Sequence, residues 1–505
     1  MLSFVDHFLN KITMYRLVLY YLIALLIIAA SFGIFGWLPV DPIDLAFSTV
    51  LIFATCWITN IVFAKGFDAP TNVESVYITA LILVLIISPV AYTDYLGVSF
   101  IVFASAWAMA SKFIVAVHKK HLFNPAAFGV AFSSLALNQG ATWWVGGNLP
   151  LLPLVLLGGL LIVRKIRRFD LVASFSIVAL VTIVATSPNS SSLTPIVQTF
   201  LHSPFFFLAF VMLTEPLTMP STRLGRLAFG AIIGFLFAPN IHIGSFYFTP
   251  EIALLVGNLF AYFVSPEGRF TLTLIGKNKI ASGMYDFVFK PDWLFNFYPG
   301  QYLEWTIPHR SSDNRGNRRY FTIASSPTEE EVRLGVKFYE PKSSFKQALD
   351  GLQIGDTVSV SQLTGDFVLP KDPAQKLVFI AGGIGITPFR SMVRYLVDTN
   401  DTRSIVLLYS NKFSSEIAYK ETFDEAAQKI GMKTVYVLTG EPHPVPGTYA
   451  GRIHEGLIAN EIPDYKERTF YISGPPAMVS ATARGLHTMG VSRSRIKTDY
   501  FPGFA

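Results

Sequence analysis

The chain changes character at Pro266. Before it, apolar runs follow one another with few charges; beyond it, charges come at ordinary density and short alternating runs begin. Ten apolar segments read as membrane spans, near 16–38, 43–64, 76–92, 98–117, 122–138, 149–163, 170–187, 198–214, 225–240 and 249–265. A bilayer core of about 30 Å needs roughly 20 apolar residues per helix. The runs at 122–138 and 149–163 are shorter and suit half-helices or tilted segments, which leaves the count open by one or two. From Arg269 six short strands are predicted: Phe270–Ile275, Met284–Phe289, Tyr302–Ile307, Tyr320–Ala324, Val332–Lys337 and Thr357–Gln362. Turn signals separate them, and that rhythm predicts a small barrel. After Pro373 strands and helices alternate through Leu377–Ala381, Pro388–Asp398, Ser404–Ser410, Ala418–Gly431, Lys433–Thr439, Thr469–Ser473 and Pro476–Met489, the pattern of a doubly wound α/β sheet.

Charge orients the first half. Its Lys and Arg residues stand at 11, 16, 65, 112, 119, 120, 164, 165, 167, 168, 223 and 226. With ten spans and a cytoplasmic N-terminus, all of them fall at the cytoplasmic side. The opposite connections, Pro39–Asp44, Tyr92–Gly97, Asn138–Asn148, Pro188–Thr194 and Asn240–Pro250, carry none. That asymmetry predicts a multi-pass protein of the inner (cytoplasmic) membrane with both termini in the cytoplasm. Met1–Tyr15 has no cleavage-site pattern and reads as an interfacial lead-in. The net charge of +6 follows from this orientation and from a mildly basic second half, and with no dense basic run nucleic acid is not an expected partner.

Composition narrows the chemistry. A hydrophobic share of 51% is too high for one soluble enzyme, and the excess is localised. Cys56 is the sole cysteine, which excludes an internal disulfide and an iron–sulfur cluster held by this chain's cysteines. Of the histidines only His202 falls inside a span, while His118, His121 and His242 lie at ends, an arrangement that argues against a transmembrane haem. No metal site is expected.

The most informative stretch is Leu377 to Phe389. A buried strand empties into a glycine turn, Gly382, Gly383 and Gly385, and a helix that opens at Thr387-Pro388. Glycines let backbone approach a phosphate, and amides at a helix start favour anions. Thr387 suits the cap and Pro388 the first helical position.

Residues 268–505 resemble the ferredoxin–NADP reductase superfamily through four motifs in order: Pro299-Gly300-Gln301-Tyr302, Arg319-Tyr320-Phe321-Thr322, Ala381 to Pro388, and Gly474-Pro475-Pro476-Ala477-Met478. The resemblance implies FAD, held through Tyr302 and Tyr320 and through Arg319, whose guanidinium would pair with the pyrophosphate. Phe321 would lie against the isoalloxazine, and Thr322 would bring its hydroxyl near flavin N5. Lys337, Ser343 and Ser344 would complete the phosphate cradle. Gly382, Gly383, Gly385, Thr387 and Pro388 would take the pyrophosphate of NAD(P)H; Gly474, Pro475 and Met478 would floor the nicotinamide site. Ser473 stands where many relatives have a catalytic cysteine, and Phe501 lies in an aromatic tail that gates the flavin face in relatives. Lys412 and Ser414 suit a 2′-phosphate, but no arginine pair is present, so the reading leans to NADH.

Two membrane segments are oddly polar: His121 to Gly129, with Asn124-Pro125, and Leu213 to Arg223, with Glu215, Thr218 and two prolines. Broken backbone at membrane depth is tolerated where it lines a cavity. Over roughly 110–265 these segments, with Gly-Arg-Leu-Ala-Phe-Gly-Ala at 225–231, resemble membrane components of two bacterial electron-transfer complexes, the sodium-translocating NADH:quinone reductase and the Rnf complex. That resemblance implies a non-covalent FMN or riboflavin in the membrane domain, with Asn124, Glu215 and Thr218 at its site. One departure stands out. The long insertion that carries covalent FMN on a threonine in those families is here only Asn138 to Asn148, and Thr142 reads as a loop threonine.

The expected fold is therefore a polytopic α-helical membrane domain of about ten spans (1–266), fused to a ferredoxin-reductase-like module with a small antiparallel β-barrel for FAD (268–372) and a doubly wound α/β domain for NAD(P) (373–505). Three functions remain in play. One is an electron conduit from NAD(P)H through FAD and a membrane flavin to an extracytoplasmic acceptor protein. Another is an NAD(P)H:quinone reductase at the cytoplasmic face, with or without ion coupling. The third is a transporter whose nucleotide domain senses redox state.

Overall fold

Proline placed directly after a capping residue starts many of the helices. In the computed structural model, which describes residues 5, 8–9, 12–67, 73–117, 120–187, 194–265, 268–309, 313, 316–441 and 445–500, Asp41 caps the helix Pro42–Gly66 and Asn124 the helix Pro125–Leu137 in this way. Thr249 does the same for the helix Pro250–Val264. Each side-chain oxygen accepts a backbone N–H of the first turn, and the proline occupies a position with no helical partner to lose. The chain divides into two compact units, Met1–Gly268 and Arg269–Ala505.

The first unit is helical: α1 Met14–Ile34, α2 Pro42–Gly66, α3 Val73–Ile86, α4 Tyr95–Ile114, α5 Pro125–Leu137, α6 Leu152–Ile166, α7 Phe169–Thr186, α8 Thr194–His202, α9 Phe205–Met212, α10 Arg223–Phe237 and α11 Pro250–Val264. All ten predicted segments contain helix, but fewer than the expected ten or so are long enough to span, and the run at 149–163, expected to be short, is one of those that are. Among the described residues, α1, α2, α4, α7 and the stretch Leu149–Ile166 are long and apolar enough to cross a bilayer. A sixth is gained if α8 and α9, bent by 65°, count as one. The reason is local. Asn124-Pro125 starts α5 late and Ser203-Pro204 breaks α8 from α9, while α3 ends after 14 residues, about 21 Å of rise against a core of about 30 Å.

Packing in this unit relies on small residues. A Cβ on Gly234 would lie 2.5 Å from the Phe175 carbonyl oxygen, and one on Gly230 would lie 2.8 Å from that of Leu171, so α10 and α7 touch backbone to backbone. At one end of this seam the fully buried Arg226 donates to Asp170 Oδ2 from Nε (3.2 Å) and Nη2 (3.1 Å), and to the Ser221 carbonyl (2.7 Å).

The second unit begins with an antiparallel sheet of β1 Phe270–Ala281, β2 Met284–Pro291, β3 Tyr302–Thr306, β4 Arg318–Thr322, β5 Val332–Lys337 and, after the short α12 Ser344–Asp350, β6 Thr357–Thr364. Its order is β4-β3-β6-β1-β2-β5. The sheet curls around Leu272, Phe287, Phe289, Trp305 and Leu334. It is a curled sheet and not a closed barrel, because edge strands β4 and β5 form no ladder. They are joined past the end of β4 by Ala324 N–H to the Arg333 carbonyl at 2.9 Å.

The rest alternates as predicted from its strand–helix rhythm: β7 Leu377–Gly382, α13 Thr387–Asp398, β8 Ile405–Asn411, α14 Lys420–Ile430, β9 Lys433–Leu438, β10 Thr448–Ala450, α15 Glu455–Glu461, β11 Thr469–Gly474, α16 Pro476–Thr488 and β12 Ile496–Tyr500. The sheet is parallel throughout, in the order β10-β9-β8-β7-β11-β12. β7 is wholly buried because apolar clusters cover both of its faces. The order reverses about β7, the position where open α/β sheets leave a crevice at their carboxyl ends.

Candidate functional site

That crevice is floored by glycine. A Cβ on Gly385 would sit 2.5 Å from the Ser473 carbonyl oxygen, and one on Gly382 would sit 2.3 Å from Met478 Sδ and 3.0 Å from Pro475 Cδ. Gly474 closes on the Gly382 backbone from the neighbouring strand, where its own Cβ would lie 3.1 Å from Gly382 Cα. The β7 and β11 ends thus meet backbone against backbone, a closeness that glycine at these positions allows. Gly383 has φ +54°, in the region that favours glycine.

Thr387 does not cap the helix as expected. Gly383–Ile386 forms a 3-10 turn, so Thr387 already has helical dihedrals (φ −57°, ψ −46°) and its Oγ1 donates back to the Ile384 carbonyl at 3.3 Å. Pro388 follows inside the first turn.

At the strand ends, two buried hydroxyls have no protein partner among the described residues: Thr322 Oγ1, at the end of β4, and Ser473 Oγ, at the end of β11. A buried hydroxyl without a hydrogen bond is costly unless a ligand supplies one. They are the two residues to which the motifs assign flavin and nicotinamide chemistry, so the residues present fit both groups.

Around Thr322 the remaining predicted residues fall into two sets. Arg319 places its guanidinium 5.2 Å from the Phe345 ring centre and pairs with Asp313 at 3.1 Å. Phe321 lies 5.8 Å from the same ring. Ser343 caps α12, which carries Phe345, and Ser344 Oγ accepts the N–H of Asp313, the partner of Arg319, at 2.9 Å. Tyr302 meets Tyr320 edge to face at 5.6 Å, and Tyr320 donates to Gln362 at 2.7 Å. Gln362 donates in turn to the buried Glu304 at 2.8 Å. Burial pushes the Glu304 carboxyl up, against the pull of Arg318. Lys337 is placed against Glu416 at 3.0 Å and holds β5 to the loop after β8. Phe501 lies outside the described residues.

In the membrane unit Asn124, Glu215 and Thr218 come together. Asn124 Nδ2 donates to Glu215 Oε2 at 2.8 Å, Thr218 Oγ1 donates to the same oxygen at 3.1 Å, and His121 Nε2 lies 3.3 Å from Oε1. Asn258, which the sequence reading missed, completes the cluster: its Oδ1 accepts the Asn124 N–H at 2.8 Å and its Nδ2 donates to the Thr218 carbonyl at 3.1 Å. The signal was a lone amide inside the apolar helix α11. A small cavity opens beside it, lined by His121, Leu122, Leu217, Thr218, Asn258 and Tyr262 among others. On the same helix the buried Glu251 accepts from Trp143 Nε1 at 3.0 Å, a second pairing that the sequence did not suggest.

Comparisons with known proteins divide at the same place. Residues 147–266 match the NQR2, RnfD, RnfE family, 271–368 match the oxidoreductase FAD-binding domain, and 379–484 match the oxidoreductase NAD-binding domain. The second unit therefore carries the FAD- and NAD-binding domains of a ferredoxin-reductase-like oxidoreductase, and the first carries an NQR2/RnfD/RnfE segment. Among similar proteins, a flavohemoprotein of Bacillus subtilis (strain 168) is 29% identical over 236 residues, 45% of this chain and 57% of that protein. The reductase component of propane 2-monooxygenase from Rhodococcus jostii (strain RHA1) is 27% identical over 213 residues, 41% of this chain and 56% of that protein. The chain thus spans little more than half the length of these relatives. Among solved structures, the FAD/NAD-binding domain of nitric oxide dioxygenase from Vibrio cholerae aligns with a TM-score of 0.42 and 21% identity, covering 46% of this chain and 98% of that one.

Proposed function

We propose that the protein is a membrane flavoprotein oxidoreductase that takes electrons from cytoplasmic NAD(P)H through FAD and passes them, through a second flavin in the membrane unit, to an extracytoplasmic acceptor. One observation carries this reading: a single chain joins FAD- and NAD-binding oxidoreductase domains to an NQR2/RnfD/RnfE segment. The reading assigns 1–266 to electron transfer in the membrane, 268–372 to FAD and 373–505 to NAD(P)H. It keeps ten crossings, some of them short or broken, with both termini cytoplasmic, which the one-sided placement of Lys and Arg supports.

When bound, a flavin would supply the redox chemistry, taking a hydride equivalent from NAD(P)H and giving up two electrons one at a time with loss of its protons. The chain's own residues bind and orient. Arg319 is assigned the pyrophosphate, with Asp313 and Phe345 fixing its guanidinium; Tyr302, Tyr320 and Phe321 border the flavin. Lys337 reaches phosphate only by leaving Glu416. The buried hydroxyl of Thr322 is assigned to flavin N5, and that of Ser473 to the nicotinamide carboxamide. Backbone amides of Gly382, Gly383 and Gly385 receive the NAD(P)H pyrophosphate, with Thr387 and Pro388 setting the helix start. Gly474, Pro475 and Met478 shape the floor. In the membrane unit Asn124, Glu215 and Thr218 border the second flavin.

The cavity beside His121, Thr218, Asn258 and Tyr262 favours a second reading, in which a quinone is reduced at the cytoplasmic face. Flavin stoichiometry in purified full-length protein, together with NADH-driven reduction of an impermeant acceptor trapped inside inverted vesicles, tests the first. Two flavins and reduction of the trapped acceptor support it. One FAD with quinone-dependent turnover and no reduction of the trapped acceptor replaces it with the second.

A further inference from the structure

The seam between the two sheets of the second unit holds a closed polar ring. Tyr419, at the start of α14, donates its hydroxyl to Asp286 Oδ1 at 3.0 Å. Asp286 Oδ2 accepts from Arg333 Nη1 at 2.7 Å, and Arg333 Nε lies 3.3 Å from Glu329 Oε1. Glu329 in turn binds the Arg390 guanidinium through both oxygens, with Arg390 Nη2 to Oε1 at 2.8 Å. The Arg390 guanidinium returns to the Tyr419 ring, 5.8 Å from its centre. Asp286, Glu329 and Arg333 belong to the curled sheet and its turns, Arg390 and Tyr419 to the nucleotide-binding layer. Two carboxylates face two guanidiniums, so the ring is electrically balanced and Tyr419 enters it as a neutral donor.

Two features show how closely the Tyr419 side chain is fitted. Tyr419 has φ +58°, a left-handed backbone that residues with a Cβ rarely adopt, and no glycine takes its place. Opposite it, Gly335 leaves room for it: a Cβ there would lie 2.6 Å from the Tyr419 hydroxyl and 2.7 Å from Thr387 Cγ2.

What the ring locks is the helix that starts at the nucleotide turn. Arg390 Nη1 donates to the Ala324 carbonyl at 3.0 Å, and Ser391 Oγ to that of Ser325 at 2.6 Å. Those carbonyls lie two and three residues beyond Thr322. We infer that Tyr419 is a positioning residue that fixes the gap between the flavin-binding strand end and the nucleotide-binding turn, and so the distance over which hydride passes. This rests on the FAD and NAD(P)H assignments above.

The test is Tyr419→Phe in the full-length protein, which keeps the ring and removes only the donor. Anaerobic rapid mixing with NADH is expected to show flavin reduction slowed by about 10- to 100-fold at saturation, the cost of a small misplacement. The NADH concentration at half-saturation stays as in the parent, and the long-wavelength nicotinamide–flavin absorbance band weakens. In nucleotide-free protein, amide exchange in peptides covering 322–326 and 387–391 rises. Asp286→Asn, which keeps an acceptor for the phenol, gives an intermediate rate and supplies the readout if Tyr419→Phe loses its flavin. Parental rate and band in Tyr419→Phe overturn the inference, as does a rate loss matched by weaker NADH binding. If the parent protein's flavin is not reduced by NADH at all, the proposed function has failed before the variant is measured.

Discussion

Asn124 donates to Glu215 across 2.8 Å, joining the start of one helix to the break after another although 91 positions separate them. Glu215 also accepts from Thr218 and faces His121, so its carboxylate is the hub of the membrane cluster. An ionisable residue so placed marks a functional site by default.

Glu215→Gln is expected to slow transfer to the final acceptor by about tenfold or more, equivalent to about 1.4 kcal/mol of barrier. NADH oxidation by a soluble dye stays near the parental rate. Assaying both activities on one membrane preparation checks this; their joint loss would mean misfolding.

Arg319→Ala removes a charged partner from the proposed pyrophosphate site. Such hydrogen bonds contribute about 1.5–3 kcal/mol, so FAD affinity should fall by one to two orders of magnitude. Flavin released per chain after gel filtration measures it. A flavin content equal to that of the parent would remove Arg319 from the site.

At the glycine floor, Gly385→Ala drives a methyl group to 2.5 Å from the Ser473 carbonyl oxygen, where backbone on both sides leaves no room. Overpacking of this kind costs about 1–3 kcal/mol. The NADH requirement should rise sharply while FAD content stays high, and titration of flavin bleaching by NADH follows both.

The polar ring predicts an acid response. Burial works to raise the Glu329 carboxyl, but hydrogen bonds and charge from Arg390 outweigh it and hold the group below its ordinary 4.5. A depressed carboxyl contributes stability that is complete above about 4.5 and is lost as pH falls through the lower folded value. Glu329→Gln should therefore lower the melting temperature of the second unit at neutral pH and flatten its decline at acidic pH. Thermal scans of both proteins from pH 7 downward give the comparison.

Much of the fold is legible in the chain, because the decisive signals are local. The glycine turn after β7 and the strand–helix alternation depend on neighbours in sequence, and the structure has them where the pattern puts them. The true setting of Thr387 escapes the sequence because a threonine before proline looks the same whether the preceding turn is open or 3-10. Apolar run length alone overstates the spans: Asn124-Pro125 is legible as a helix break, whereas Ser203-Pro204 interrupts a run read as one span, near 198–214. Lys337 has the motif position of a phosphate ligand, and its Glu416 partner comes from a loop 79 positions away in sequence. Asn258 and Tyr419 each have a partner more than 130 positions away, beyond any local pattern.

Cys56 is wholly buried in α2, and the chain has no other thiol. Reduced flavins exposed to air shed peroxide and superoxide, and accessible thiolates are the first protein groups those species oxidise. A carrier built this way offers its own by-products no sulfhydryl target at the surface. It should keep its turnover through peroxide exposure that silences thiol-dependent reductases.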